Sequence, residues 1–183
     1  MANVIHRTDR DSAGCLIYRT SVNTPDYDTD DWLINPDISG LTGVNCKYWK
    51  VTGTPPGGAV EEMNQSEKDA VDAAALAAAK TARKIAIKAE AWEYLESRYD
   101  AGEQRIIIDL QTETYINAKP NRRAALSPYF VWREQVVQHM KTQFQSINSQ
   151  TTVEDVNAIV IDTAAMDALD PGINLITILN ITD

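Results

Sequence analysis

The sequence predicts an α+β chain that is mainly α: a small β-rich head over residues 1–62, then a helical region over 63–183 that ends in a short strand. Three observations carry this. From Asn64 to Tyr99 no proline or glycine interrupts the chain, and half of the residues between Ala70 and Ala91 are alanine, the residue that loses least on entering a helix. Ahead of that stretch, Thr54-Pro-Pro-Gly-Gly58 is a strong breaker preceded by short aromatic and aliphatic runs of strand composition. At the far end, Ile173 to Ile181 carries no charge and is rich in β-branched residues.

In the head, Cys15-Leu-Ile-Tyr18 and Lys47-Tyr-Trp-Lys-Val51 read as strands, and Val60 is placed to close a hairpin with Tyr48–Val51. Turns fall at Thr24-Pro-Asp26, Asn35-Pro-Asp37 and Gly40-Leu-Thr-Gly43. Trp32 and Trp49 are the expected core of the head, which has few other large apolar groups. Cys15 and Cys46 are expected to be reduced and buried, since their spacing suggests neither a disulfide nor a metal motif.

The long helix has two candidate caps, Asn64 and Ser66, with Glu67 or Asp69 three residues on. Val71, Ala75, Ala78, Ala82, Ile85, Ala89 and Trp92 recur at spacings of four and three, a heptad-like seam of small residues. The Ala78–Ala82–Ala89 face, with Ile85 and Trp92, is expected to be buried against another helix, either of this chain or of a symmetry copy. Gly102 is the expected C-cap. Residues 103–118 are read as helix: Ile106-Ile-Ile108 favours a strand, but Ile106, Leu110, Glu113 and Asn117 share a helical face. A further amphipathic helix starts or kinks at Ser127-Pro128, and Thr151 or Thr152 caps a short one over Val153–Ile161. The terminal strand, with Ile173, Leu175, Ile176, Ile178 and Ile181, is expected to pair with a neighbouring subunit or protein.

Charge bounds the partners. The net charge is −9, and no Lys or Arg follows Lys141, so the acidic end repels nucleic acid and suits a basic protein surface. No run of 18 apolar residues predicts a membrane span, and the N-terminal segment lacks the apolar core of a secretory signal. Asp26, Asp28, Asp30 and Asp37 imitate the acidic positions of a calcium loop, but Asp31 stands where the turn glycine belongs and Asp37 where the bidentate Glu belongs. His6 with Cys15, His139 with its flanking Gln135 and Gln143, and the carboxylates Glu90, Glu93 and Asp100 form no recognisable catalytic set. Trp32, Trp49, Trp92 and Trp132, with Tyr27, Tyr48, Tyr94 and Tyr129, suit a core or an interface better than a sugar groove. The expectation is a protein with no catalytic residue, no cofactor and no metal.

Within the head, Ser21-Val-Asn-Thr-Pro-Asp-Tyr27, Asp31-Trp-Leu-Ile-Asn-Pro-Asp37 and Lys47-Tyr-Trp-Lys-Val51, followed by Glu67-Lys-Asp-Ala-Val-Asp-Ala-Ala74, resemble a module of tailed-bacteriophage virion proteins. The likeness covers roughly the first 75 residues; the rest is similar only in style, at Tyr129-Phe-Val-Trp132 and Val153-Glu-Asp-Val156. It implies a structural part of a tail fibre, baseplate or fibre-attachment apparatus, non-enzymatic, located in the virion after assembly in the host cytoplasm. The implied partners are copies of the chain itself, three-fold or a multiple, and other virion proteins, with neither nucleic acid nor membrane bound.

Overall fold

The computed structural model describes residues 1–27, 29–55 and 57–182, and it is α+β and mainly α. It divides into two compact units, residues 1–74 and 75–183. The division falls inside the long helix rather than at residue 62, because its first turns are bonded to the head.

In the first unit, β1 (Ala2–Arg10) is the central strand of an antiparallel sheet, flanked by β2 (Leu16–Val22) and β3 (Trp32–Ile34). Ile5 lies opposite both Tyr18 and Leu33. A second ladder is the expected hairpin: β4 (Trp49–Thr52) pairs with β5 (Ala59–Glu62), Val51 opposite Val60. Its turn forces the backbone close. A Cβ on Gly58, which has φ of +141°, would stand 2.7 Å from the Thr52 carbonyl oxygen, so only glycine fits.

The core of this unit is aliphatic. Ile5, Leu16, Leu33, Leu41 and Val60 are buried, with Ile38, Val44, Trp49 and Val51 packed on them. Trp49 is half-buried and its indole N–H donates to the Val44 carbonyl at 3.2 Å. Trp32 is not in this core. It lies half-exposed against His6 and Tyr27, with ring centroids 4.7 and 4.9 Å away and planes nearly perpendicular.

Side-chain bonds and a disulfide join the sheet to the hairpin, among them Arg7 on the Gly57 carbonyl. Arg10 donates to the carbonyls of Gly14, Lys47 and Trp49 at 2.7, 3.1 and 2.7 Å. Cys15 and Cys46 form a disulfide, with Cα atoms 4.9 Å apart. The expectation of two reduced, buried thiols is therefore corrected: both residues are half-buried and bonded to one another.

Helix α1 (Gln65–Arg98) begins as its sequence dictates. The Asn64 side chain accepts from Glu67 N at 3.0 Å, and Glu67 Oε2 accepts from Asn64 N at 2.7 Å, a complete capping box. The helix start is bonded to the head by Lys50 on Glu67, Lys47 and Tyr48 on Asp72, and Lys68 on Glu62.

In the second unit, α1 ends where a second capping box begins. Asp100 accepts from Glu103 N and starts α2 (Ala101–Ile116), confirming helix over the isoleucine run. Gly102 thus sits in the first turn of α2 and is not a C-cap: α1 ends at Arg98 and the chain re-enters helix at Ala101 without a left-handed residue at Gly102. A turn through Ala118, at φ of +52°, leads to α3 (Pro120–Ser149). Pro120 occupies the first helical turn, where its missing N–H costs nothing, so Pro128 lies within the helix rather than at its start. Thr152 caps α4 (Val153–Ala158), which stops short of Ile161 because Ile159 turns extended and gives its carbonyl to Arg83 Nε at 2.6 Å. Asp162 caps α5 (Thr163–Asp167).

The expected terminal strand is a helix instead, α6 (Leu175–Leu179). Asn174 caps it by accepting from Thr177 N at 3.0 Å. Ile178 is buried and Ile173, Leu175 and Ile181 pack on the core of the unit, whereas Ile176 faces solvent. β-Branched composition gives way here because a strand needs an edge, and among the described residues both sheets lie in the first unit. The core these residues join is aromatic: Tyr94, Tyr99, Tyr129 and Trp132, with Leu95, Ile107, Leu126 and Val136. A smaller cluster of Ile87, Ile147 and Val156 continues it along α1 and α3.

Candidate functional site

The groups capable of chemistry are held in structural roles. His6 Nδ1 accepts from the backbone of Asp9 at 2.9 Å, and Cys15, its possible nucleophile, is spent in the disulfide. His139 Nε2 accepts from Asp162 N at 3.3 Å and so braces the start of α5. Glu90 takes both guanidinium nitrogens of Arg83, at 2.7 and 3.2 Å, and Asp100 is a cap. Glu93 alone of that carboxylate set stands free on the surface. In the calcium-like stretch, Asp37 binds Ser39 N at 2.9 Å, which holds its carboxyl below the usual range, and Asp28 lies outside the described residues. Among the described residues no three His, Cys, Asp or Glu side chains gather to share an ion.

Nor do the aromatic residues converge on a recess. Trp32 borders a recess of about 300 Å³ with Thr29, Asn35 and Asp37, and Trp132 borders an open groove beside Val131 and Leu169. Neither lining holds a second aromatic ring that could sandwich a sugar.

Two surfaces of the second unit remain, and both involve residues expected at an interface. The first is the outer face of α1. Ala78, Ala82, Ile85, Ala89 and Trp92 are all exposed, Ile85 to 66% and Trp92 to 39%. At 100° per residue they project from the side opposite Ile87, Ala91, Tyr94 and Leu95, which face the core. Of the two partners the spacing allowed, a helix of this chain is therefore excluded among the described residues. Arg133 reaches the edge of this face, its guanidinium carbon 5.7 Å from the Trp92 ring.

The second is the C-terminal segment, which is clamped within the subunit. Tyr94 donates to Asp167 at 2.9 Å, and Arg98 pairs with the same carboxylate. Tyr99 donates to Asp170 at 3.0 Å and accepts from Ile173 N at 2.7 Å. Arg122 binds the carbonyls of Leu179 and Ile181. Of the acidic residues expected to seek a basic neighbour, Asp162, Asp167 and Asp170, the last two find Arg98 in their own chain and Asp162 is taken up as the cap of α5. No periodic signal reports this clamp, because its two halves lie about 70 residues apart in sequence.

Burial first, then the neighbouring carboxylates, pushes the Tyr94 and Tyr99 hydroxyls up to about 12 from 10.0. A raised folded-state value means that the clamp's contribution is complete below pH 10 and is lost as pH rises through about 12. Spectrophotometric titration should therefore show phenols that ionise well after the ordinary value, together with a loss of helix signal in the same window. Tyr94→Phe and Tyr99→Phe should each remove part of that late component. Its absence from the unsubstituted protein would show that the clamp is open.

No family model, curated protein or solved structure matches the chain. No helix among the described residues is long and apolar enough to cross a membrane.

Proposed function

We propose that the protein is a non-enzymatic structural component of a tailed-bacteriophage particle, in the tail or fibre-attachment apparatus, acting through contacts with its own copies and with other virion proteins. The observation that carries this reading is the outer face of α1: a folded unit leaves a regular apolar stripe, with a 66% exposed isoleucine, uncovered on the side away from its core. The resemblance of the head to phage attachment modules supplies the particle. The structural employment of His6, His139, Glu90 and Asp100 supports a role in assembly over one in turnover.

Mass spectrometry of purified particles should find the chain at a fixed copy number per virion. Its absence from mature particles would discard the reading and favour a fibre-assembly chaperone, which leaves before completion. Immunogold label on the head rather than the tail would favour a capsid-decorating or head-fibre protein. Turnover of host polysaccharide by the purified chain would favour a degrading enzyme.

A further inference from the structure

We infer that copies of this chain associate through the outer face of α1 as parallel helices in register, with Lys88 of one copy paired to Glu93 of the next. This deepens the assembly reading above, on which it rests for the existence of a second copy.

The spacing defines the occupant as a helix. Ala75, Ala82 and Ala89 recur every seven residues, and Ala78, Ile85 and Trp92 do so three residues later. That is the a and d pattern of a 3.5-residue repeat, which tracks another helix along its length and suits no flat or globular surface as well. Alanine at every a position brings the two axes close, and the larger d residues Ile85 and Trp92 fill the space between. Glu96, at the next a position, ends the stripe with a charge.

The flanking charges define the orientation. The g positions beside the stripe are Ala74, Thr81 and Lys88, and the e positions are Ala79, Ala86 and Glu93. In a parallel pair, each g residue meets the e residue five positions further on in its partner. In register, Lys88 meets Glu93, and within the Ala75–Trp92 stripe no like charges meet. A slip by one heptad sets Lys88 against Ala86 and loses the pair. An antiparallel pair opposes g to g and e to e, so Lys88 meets alanine, threonine, another Lys88 or Glu67, and Glu67 is already held by Lys50 and the Asn64 cap. Only the parallel pair in register makes an opposite-charge contact between side chains not already engaged in the subunit, since Glu67 is held by Lys50 and Asp100 is a cap. Lys88 and Glu93 are both exposed and enter no ion pair with another described residue, so the pair breaks nothing within the subunit.

Single cysteines test the register, because the two native cysteines are already joined. Ala82→Cys and Ala89→Cys, each made in the full chain, should both give covalent dimers on mild oxidation. In a parallel pair in register every seam position meets itself, at a separation a disulfide can span; in an antiparallel pair at most one of them can. Sedimentation equilibrium at low salt should show association weakened about tenfold by Glu93→Lys and restored by Lys88→Glu combined with it, with circular dichroism unchanged. An oligomer in which only one cysteine or neither cross-links overturns the inference while leaving the assembly reading standing. A chain that stays monomeric at every concentration overturns both.

Discussion

Replacing Trp132 by alanine is expected to cost roughly 3–5 kcal/mol and to unfold the helical unit at temperatures where the unsubstituted protein is intact. Trp132 is 1% exposed and stands at the centre of the aromatic core, 5.5 to 6.0 Å from the ring centroids of Tyr94, Tyr99 and Tyr129. Its indole N–H donates to the Met166 carbonyl at 3.3 Å, so truncation leaves a cavity and removes one of the bonds to that carbonyl. A whole domain is stable by only about 5–15 kcal/mol, and this single loss is a large share of that. Urea unfolding followed by far-ultraviolet circular dichroism, which reports the helices, should show the midpoint fall sharply. The adjacent Val131→Ala, at a position 55% exposed, should move it by less than about 0.5 kcal/mol. Equal effects of the two substitutions would mean that Trp132 is not packed as described.

Much of the helical architecture was legible in the sequence, and its limits have physical causes. The course of α1, its Asn64–Glu67 box and the Thr152 cap are local facts, set by residues within a turn of one another. The β4–β5 hairpin is local too, since its strands flank a single breaker. β1 was hidden because only Ala2, Val4 and Ile5 are buried and the rest of the strand is polar, so no alternation survives. The Ile173–Ile181 strand failed for the opposite reason: local composition favoured β, and the aromatic core captured the segment as a capped helix.

The candidate surface shows the same boundary between local and distant information. The seam from Ala78 to Trp92 can be read from spacing alone, but α1 carries a second apolar face through Ile87, Ala91 and Leu95. Periodicity detects both faces and cannot say which one the subunit itself covers. That choice depends on α3, whose Met140, Phe144 and Ile147 meet the Ile87 side.

Opening the Cys15–Cys46 disulfide is the second change of large expected effect, and it should act on the first unit. Its sequence separation of 31 residues corresponds to about 3.7 kcal/mol of unfolded-chain entropy removed by the cross-link. The unit has a small aliphatic core, a cluster of five buried side chains, so it has little hydrophobic reserve with which to offset the loss. Arg10 spans the same gap between sheet and hairpin and should keep the native arrangement recognisable after reduction. The effect is therefore expected in the opening equilibrium rather than in the folded structure. Amide exchange at Val4 and Ile5 in β1 should accelerate by about 500-fold on reduction, or in the Cys15→Ser/Cys46→Ser chain, where both amides exchange through unfolding of the unit. Amides of α3 around Val136 belong to the other unit's core and should change far less. A reducing compartment would hold the dithiol open, so the first unit should gain this stability only once the chain meets an oxidising medium. Unchanged exchange at Val4 and Ile5 would show instead that the sheet and the Arg10 bracket alone set the stability of the head.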